Sequence, residues 1–189
     1  VEEALHEKKI AEIAADIVKR QEVKLILIAG PSSSGKTTFS KRLAIQLLTH
    51  GIKPFALEMD NYFVNREETP LDEEGKPNFE AFEAVNRTLL EHDLLRLMKG
   101  EEVRLPKFNF HEGHSEPGEV VRISKDQVII MEGIHGLNTA LLTEFPARKI
   151  FRIYISCLTQ LNLDRFNRIS TTDTRMLRRV VRDSWSRGF

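Results

Sequence analysis

Gly30-Pro-Ser-Ser-Ser-Gly-Lys-Thr37 is a complete G-x-x-x-x-G-K-[ST] octapeptide, and the rest of the chain is read outward from it. It follows the apolar run Val23-Lys-Leu-Ile-Leu-Ile-Ala29 and precedes a stretch with apolar residues at Phe39, Leu43, Leu47 and Leu48. Strand, loop and helix in that order are the context in which such a loop cradles phosphates. Its glycines let backbone N–H groups turn inward at a helix N-terminus carrying roughly half a positive charge. Gly30, Ser32, Ser33, Ser34 and Gly35 would form the cradle, Lys36 would reach the β- and γ-phosphates, and Thr37 would hold Mg²⁺. Thr38 could add a phosphate contact.

A chain of 189 residues can bury one α/β core but not two large ones. Twenty-eight basic and 28 acidic residues balance, so no overall field points to nucleic acid or membrane. Charge is uneven locally, with seven arginines from Arg165 onward against Asp173 and Asp183. The single cysteine, Cys157, cannot form an internal disulfide and reads as a small buried hydrophobe in a reducing, cytoplasmic setting. No apolar run approaches the roughly 20 residues that span a bilayer. The chain starts at Val1 and stops at Phe189 directly after a basic helix, so both ends are expected to be cuts within a longer protein.

Residues 3–20 carry apolar side chains at helical spacing and are expected to form a packing helix (1–22 with its linker) ahead of a catalytic domain at 23–189. Strands are expected at 23–29, 53–59, 127–132 and 149–156, and helices at 36–50 and 80–99, the latter with Phe82, Val85, Leu89, Leu90, Leu94 and Met98 inward. Gly51 suits the end of the first of these helices, and Gly100 stops the second. Strands alternating with helices imply a parallel sheet covered on both faces. Residues 64–79 read as a mobile acidic loop and 101–125 as an inserted β-hairpin. His111, Glu112 and His114 at the hairpin tip read as polar surface rather than a metal site.

Asp72-Glu-Glu-Gly75 fits a GTPase switch only loosely, no N-K-x-D base reader exists, and the L-S-G-G-Q signature of transporter ATPases is missing. A small kinase remains, and phosphoryl transfer needs three more parts. Glu132, closing an expected strand, is the candidate second metal-site carboxylate. Asp60, following another, is the candidate base for the acceptor hydroxyl. Arg175, Arg178, Arg179 and Arg182 share one face of a helix whose other face carries Met176, Leu177, Val180 and Val181, and such a cationic stripe could stabilise the moving phosphoryl group.

In order and spacing, Gly30–Thr38, Asp60-Asn-Tyr-Phe63, Asn78-Phe-Glu80, Pro106-Lys-Phe-Asn-Phe110, Val128-Ile-Ile-Met-Glu-Gly-Ile134 and Thr172-Asp-Thr-Arg175 through Arg187-Gly188 resemble the uridine kinase/phosphoribulokinase family. The resemblance runs from about Leu25 to Gly188. Thr159-Gln-Leu-Asn-Leu-Asp164 and Asn167-Arg-Ile-Ser-Thr-Thr-Asp173 resemble the branch in which the kinase follows a threonyl-tRNA-synthetase-like region. The resemblance implies a three-layer α/β/α P-loop fold with a hairpin insertion and an arginine-rich C-terminal lid helix. It also implies ATP- and Mg²⁺-dependent phosphorylation of a nucleoside 5′-hydroxyl, with Asp60 as base. Arg179, Arg182 and Arg187 would be the lid cations, and Asp60, Tyr62, Glu80, Phe108, His114 and Arg179 would lie on the acceptor side. Relatives carry Asn-Phe-Asp, Pro-x-Tyr-Asp-Phe and Arg-Gly-Arg where this chain has Asn78-Phe79-Glu80, Pro106-Lys-Phe108-Asn109-Phe and Arg187-Gly-Phe189, and His114 aligns only across a one-residue insertion. The phosphate machinery is thus intact while the acceptor pocket is altered. That leaves a sugar-phosphate or pantothenate-like alcohol as an alternative acceptor, and a non-catalytic nucleotide sensor as an alternative role. Homo-oligomer formation and ATP against GTP preference stay open.

Overall fold

The computed structural model describes residues 1–156, 161–162, 164–166 and 168–186. Helix α1 (Glu2–Lys19) leads into strand β1 (Leu25–Ala29), helix α2 (Lys36–Thr49) and strand β2 (Lys53–Glu58). Helix α3 (Arg87–Met98) is followed by the hairpin β3 (Val103–Asn109) and β4 (His114–Val121), then β5 (Gln127–Glu132) and β6 (Ile150–Tyr154). A short antiparallel pair, β7 (Leu161–Asn162) and β8 (Arg168–Ile169), precedes helix α4 (Thr171–Ser186). The four strands of the central sheet run parallel in the order β2-β5-β1-β6.

Alternation along β1 divides the core between two layers. Ile26 and Ile28 face α1 and α2, packing with Ile10, Ala14, Ile17, Phe39, Leu43 and Leu47. Leu25 and Leu27 face the other way, with Leu57, Ile129 and Met131, onto Leu90, Leu94 and Leu97 of α3 and Val103 and Phe108 of the hairpin. Every residue of β1 is buried, as a central parallel strand requires. Ile10 and Ile17 are fully buried, each worth about 1.5–3 kcal/mol over exposure, so α1 is packed into the core beside α2.

The α/β/α layering and the inserted hairpin agree with expectation; the helix expected over 80–99 differs. It begins only at Arg87, because the Asn86 side chain accepts from Leu89 N–H and caps it there. Phe82–Ala84 form a separate 3₁₀ turn, and Leu89 faces outward. The segment 64–79 is partly built, with a 3₁₀ turn at Arg66–Glu68 and a bridge between Leu71 and Pro77. The apolar stripe of α4 is not covered: Met176, Leu177, Val180 and Val181 are all exposed. Cys157 lies outside the described residues. Among the described residues, no helix is long and apolar enough to cross a membrane.

Candidate active site

The chain leaves β1 and skips one position to β2; β5 later fills the gap. In open α/β sheets such a switch point opens a crevice at the C-terminal strand ends. Here that edge carries a cavity of about 450 Å³ lined by Ser32–Thr38, Glu58, Asp60, Glu132, Gly133, Ile134 and Arg178.

The loop curls because two of its residues, Ser33 (φ 59°) and Gly35 (φ 97°), adopt left-handed backbone conformations around Ser34. This alternation turns successive amides toward a common centre, forming an anion nest at the start of α2. Gly35 tolerates its φ because it has no Cβ. Lys36 Nζ donates to the carbonyls of Gly30 (2.9 Å) and Pro31 (3.2 Å), so the ammonium folds back over the loop. The Ser33 and Ser34 hydroxyls are buried without a hydrogen-bond partner. Buried polar atoms left unpaired are costly, and a phosphate oxygen would satisfy them.

Glu132 ends β5, where Thr37 Oγ1 donates to its Oε1 at 2.7 Å. Its other oxygen, Oε2, is buried with no partner. Burial pushes the Glu132 carboxyl above the usual glutamate range, against the opposing effects of the Thr37 hydroxyl and the Lys36 ammonium. Glu58 and Asp60 add to the upward push. A hydroxyl beside a carboxylate with one vacant buried oxygen is the hard-oxygen donor set that Mg²⁺ prefers, so these residues fit that ion.

Asp60 lies in the 3₁₀ turn Met59–Tyr62 directly after β2, exposed on the cavity wall. Asn61 Oδ1 accepts from Phe108 N–H, Asn65 Oδ1 accepts from Ser115 N–H, and Arg66 donates to the Phe110 carbonyl. These bonds join the Asp60 segment to the hairpin. Tyr62, expected on the acceptor side, is instead in the core: it is 1% exposed and its hydroxyl donates to buried Asp93 on α3. Phe108 is also buried, within a cluster of tilted and edge-to-face contacts linking Phe63, Phe79, Phe108 and Phe110, of which only Phe110 is well exposed. His114 lies at the start of β4, 3.3 Å from Glu112 and 3.5 Å from Glu116.

On α4, Arg175 Nε donates to the Ser32 carbonyl at 3.4 Å, and Arg178 lines the cavity. Arg179 instead points to Glu80, with 3.9 Å between guanidinium and carboxylate. The side chain of Arg182, and Arg187 entirely, lie outside the described residues. Among the described side chains of the arginine stripe, Arg175 and Arg178 therefore meet the phosphate loop, whereas Arg179, which the resemblance implied as a lid cation, faces Glu80. Glu58 was also missed; its signal was its place two residues before Asp60 at a strand end.

The sequence profile of the Phosphoribulokinase / Uridine kinase family matches residues 25–189. A uridine kinase of Ligilactobacillus salivarius (strain UCC118) is 31% identical over 164 residues, spanning 87% of this chain and 68% of that protein. A uridine kinase of Leuconostoc citreum (strain KM20) is 29% identical over 164 residues, spanning 87% and 70%. A solved structure described as a possible uridine kinase from Bacillus stearothermophilus superposes with a TM-score of 0.55 at 26% identity, covering 70% of each chain. Phosphate loop, switch-point crevice and sequence agree, and the chain belongs to the phosphoribulokinase/uridine kinase family of kinases.

Proposed function

We propose that this protein transfers the γ-phosphoryl group of ATP to the hydroxyl of a small molecule, with a nucleoside 5′-hydroxyl as the first choice of acceptor. One observation carries the reading: the loop amides, Lys36, Thr37, Glu132, Asp60 and Arg178 all meet at one cavity. The Gly30–Thr38 cradle binds the polyphosphate, and Lys36 leaves its two loop carbonyls for the β- and γ-oxygens. Bound Mg²⁺, held by Thr37 and Glu132, would offset phosphate charge during transfer. Asp60 accepts the acceptor's hydroxyl proton as the oxygen attacks phosphorus. Arg178, joined by Arg182 and Arg187 in the lid, would balance charge on the transferring group.

Glu80, held near Arg179, orients the acceptor beside the partly exposed rim of the phenylalanine cluster, with Phe108 behind it and His114 on the hairpin. None of those four rings carries a phenol, which leaves a sugar phosphate or pantothenate-like alcohol as the second acceptor class. Residues 23–189 act as the kinase domain in a cytoplasmic setting, in the branch with a threonyl-tRNA-synthetase-like region ahead of it. The sequence stretches Thr159–Asp164 and Asn167–Asp173 support that branch, and the mass of the native polypeptide tests it.

ATP consumption against a panel of ribonucleosides, sugar phosphates and pantothenate-like alcohols tests the function, with Asp60→Asn as control. At least one hydroxyl acceptor should turn over. The variant should bind ATP as the wild type does yet lose about 10²–10⁴ in transfer rate. Tight ATP binding with no transfer to any acceptor would favour the nucleotide sensor, and undiminished turnover by Asp60→Asn would remove Asp60 as base.

A further inference from the structure

Glu58 is the last residue of β2, and its Cα is paired in register with that of Glu132, the last residue of β5. Paired residues of adjacent parallel strands project to the same face, and adjacent strands lie about 4.8 Å apart. Both carboxylates line the cavity that holds Thr37 and the phosphate loop. The cavity thus receives three carboxylates, Glu58, Asp60 and Glu132, against the cations Lys36 and Arg178.

Asp60 and Glu132 have roles in phosphoryl transfer; Glu58 has none so far. A carboxylate facing the seat of a polyphosphate repels it, and a partly water-excluded cleft strengthens that repulsion. The repulsion reverses sign when a divalent cation stands between the two anions. Glu132 Oε2, buried and unpartnered, and the Thr37–Glu132 hydrogen bond mark where such a cation is received. Glu58 is exposed at the mouth of this seat, so it can reach the cation's retained waters without being desolvated.

We propose that Glu58 is a second carboxylate of the metal seat, accepting hydrogen bonds from the water shell of a divalent cation that Thr37 and Glu132 hold. It is a positioning residue, favouring the nucleotide only through the cation and repelling it when the cation is absent. The inference rests on the kinase reading for the existence of the seat, but not on the identity of the acceptor.

The test is Mn²⁺ titration of the intact chain, followed by the loss of the free-ion electron paramagnetic resonance signal, with a non-hydrolysable ATP analogue present. Glu58→Gln should weaken Mn²⁺ binding by about 10-fold or more, as loss of an outer-shell partner does. Metal-free analogue binding, measured by calorimetry on the same variant, should stay equal or tighten, since a repelling charge is gone. Glu58→Asp should recover part of the Mn²⁺ affinity. Unchanged Mn²⁺ affinity in Glu58→Gln would overturn the proposal, as would an equal loss of metal-free analogue binding, which marks a structural role. If wild type itself bound neither analogue nor Mn²⁺, the kinase reading would fail first, so the two failures are distinguishable.

Discussion

Thr37 donates a 2.7 Å hydrogen bond to Glu132, tying the first turn of α2 to the last residue of β5. The bond holds two hard oxygen donors together in advance, yet it leaves a buried carboxylate raised above its usual pKa. Glu132→Gln keeps an acceptor for the threonine and removes the charge. Because the folded-state pKa is raised, the stabilisation from Glu132's proton is fully present below the unfolded-state value. It is lost as pH rises through the folded-state value. The glutamine variant escapes that loss. Its melting temperature in metal-free buffer should therefore exceed the wild type's, by a margin growing from mildly acid to neutral pH. Added Mg²⁺ should raise the melting temperature of nucleotide-bound wild type and leave the variant's nearly unmoved.

Arg178 and Arg179 are neighbours in sequence with different surroundings, one on the cavity and one opposite Glu80. Arg178→Ala should lower kcat by about 10³-fold, the low end for an arginine acting on a transferring phosphoryl group. Arg179→Ala should act mainly on the acceptor KM. Its pair with Glu80 is exposed, so the lost ion pair should cost under about 1 kcal/mol of stability. Steady-state kinetics with ATP and acceptor varied separately would distinguish the two; equal effects on both parameters would contradict the assignment.

Gly133 follows Glu132 at the point where β5 passes the Asp60 turn. A Cβ there would lie 2.8 Å from Met59 Cβ, and Met59 is 1% exposed and adjoins Asp60. Gly133→Ala should therefore displace the turn, at a cost of about 1–3 kcal/mol from overpacking. Transfer rate should fall more than nucleotide affinity, because Met59 adjoins Asp60 in the same turn. Chemical denaturation and nucleotide calorimetry on the same variant check both halves.

The phosphate loop, all four core strands and the hairpin were legible in the sequence, since each has a strong local pattern. Strand order was not, because it depends on how β5 inserts between β1 and β2, and no short segment encodes that. Helix α3 was read too long: Phe82 and Val85 fit a helical period, but the Asn86 cap decides the start. On α4, Arg175 and Arg178 meet the loop while Arg179 turns to Glu80, and the rotation of the helix about its axis, which makes that division, is not encoded in the spacing of the stripe. Tyr62 was placed on the acceptor side by the resemblance of Asp60-Asn-Tyr-Phe63 to the family motif. Its hydroxyl is claimed instead by Asp93, 31 residues away, a long-range pairing that a single sequence does not display.

That pairing predicts that the stability of the Met59–Tyr62 turn depends on pH. Burial raises the Asp93 carboxyl above the usual aspartate range, while hydrogen bonds from His92 and Tyr62 pull it back. Burial and Asp93's charge in turn push the Tyr62 phenol far up, so it stays a proton donor. A raised folded-state pKa means Asp93 contributes stability below its unfolded-state value and loses it as pH climbs through the folded-state value. Tyr62→Phe removes one of the bonds favouring the carboxylate, raising the folded-state pKa further. The variant should lose about 1–3 kcal/mol where Asp93 is ionised, the expected cost of leaving a buried acceptor short of a donor. At acid pH, where Asp93 is protonated, the loss should shrink. Urea unfolding on either side of that titration measures the difference, and a pH-independent loss would show that Tyr62 matters only for packing.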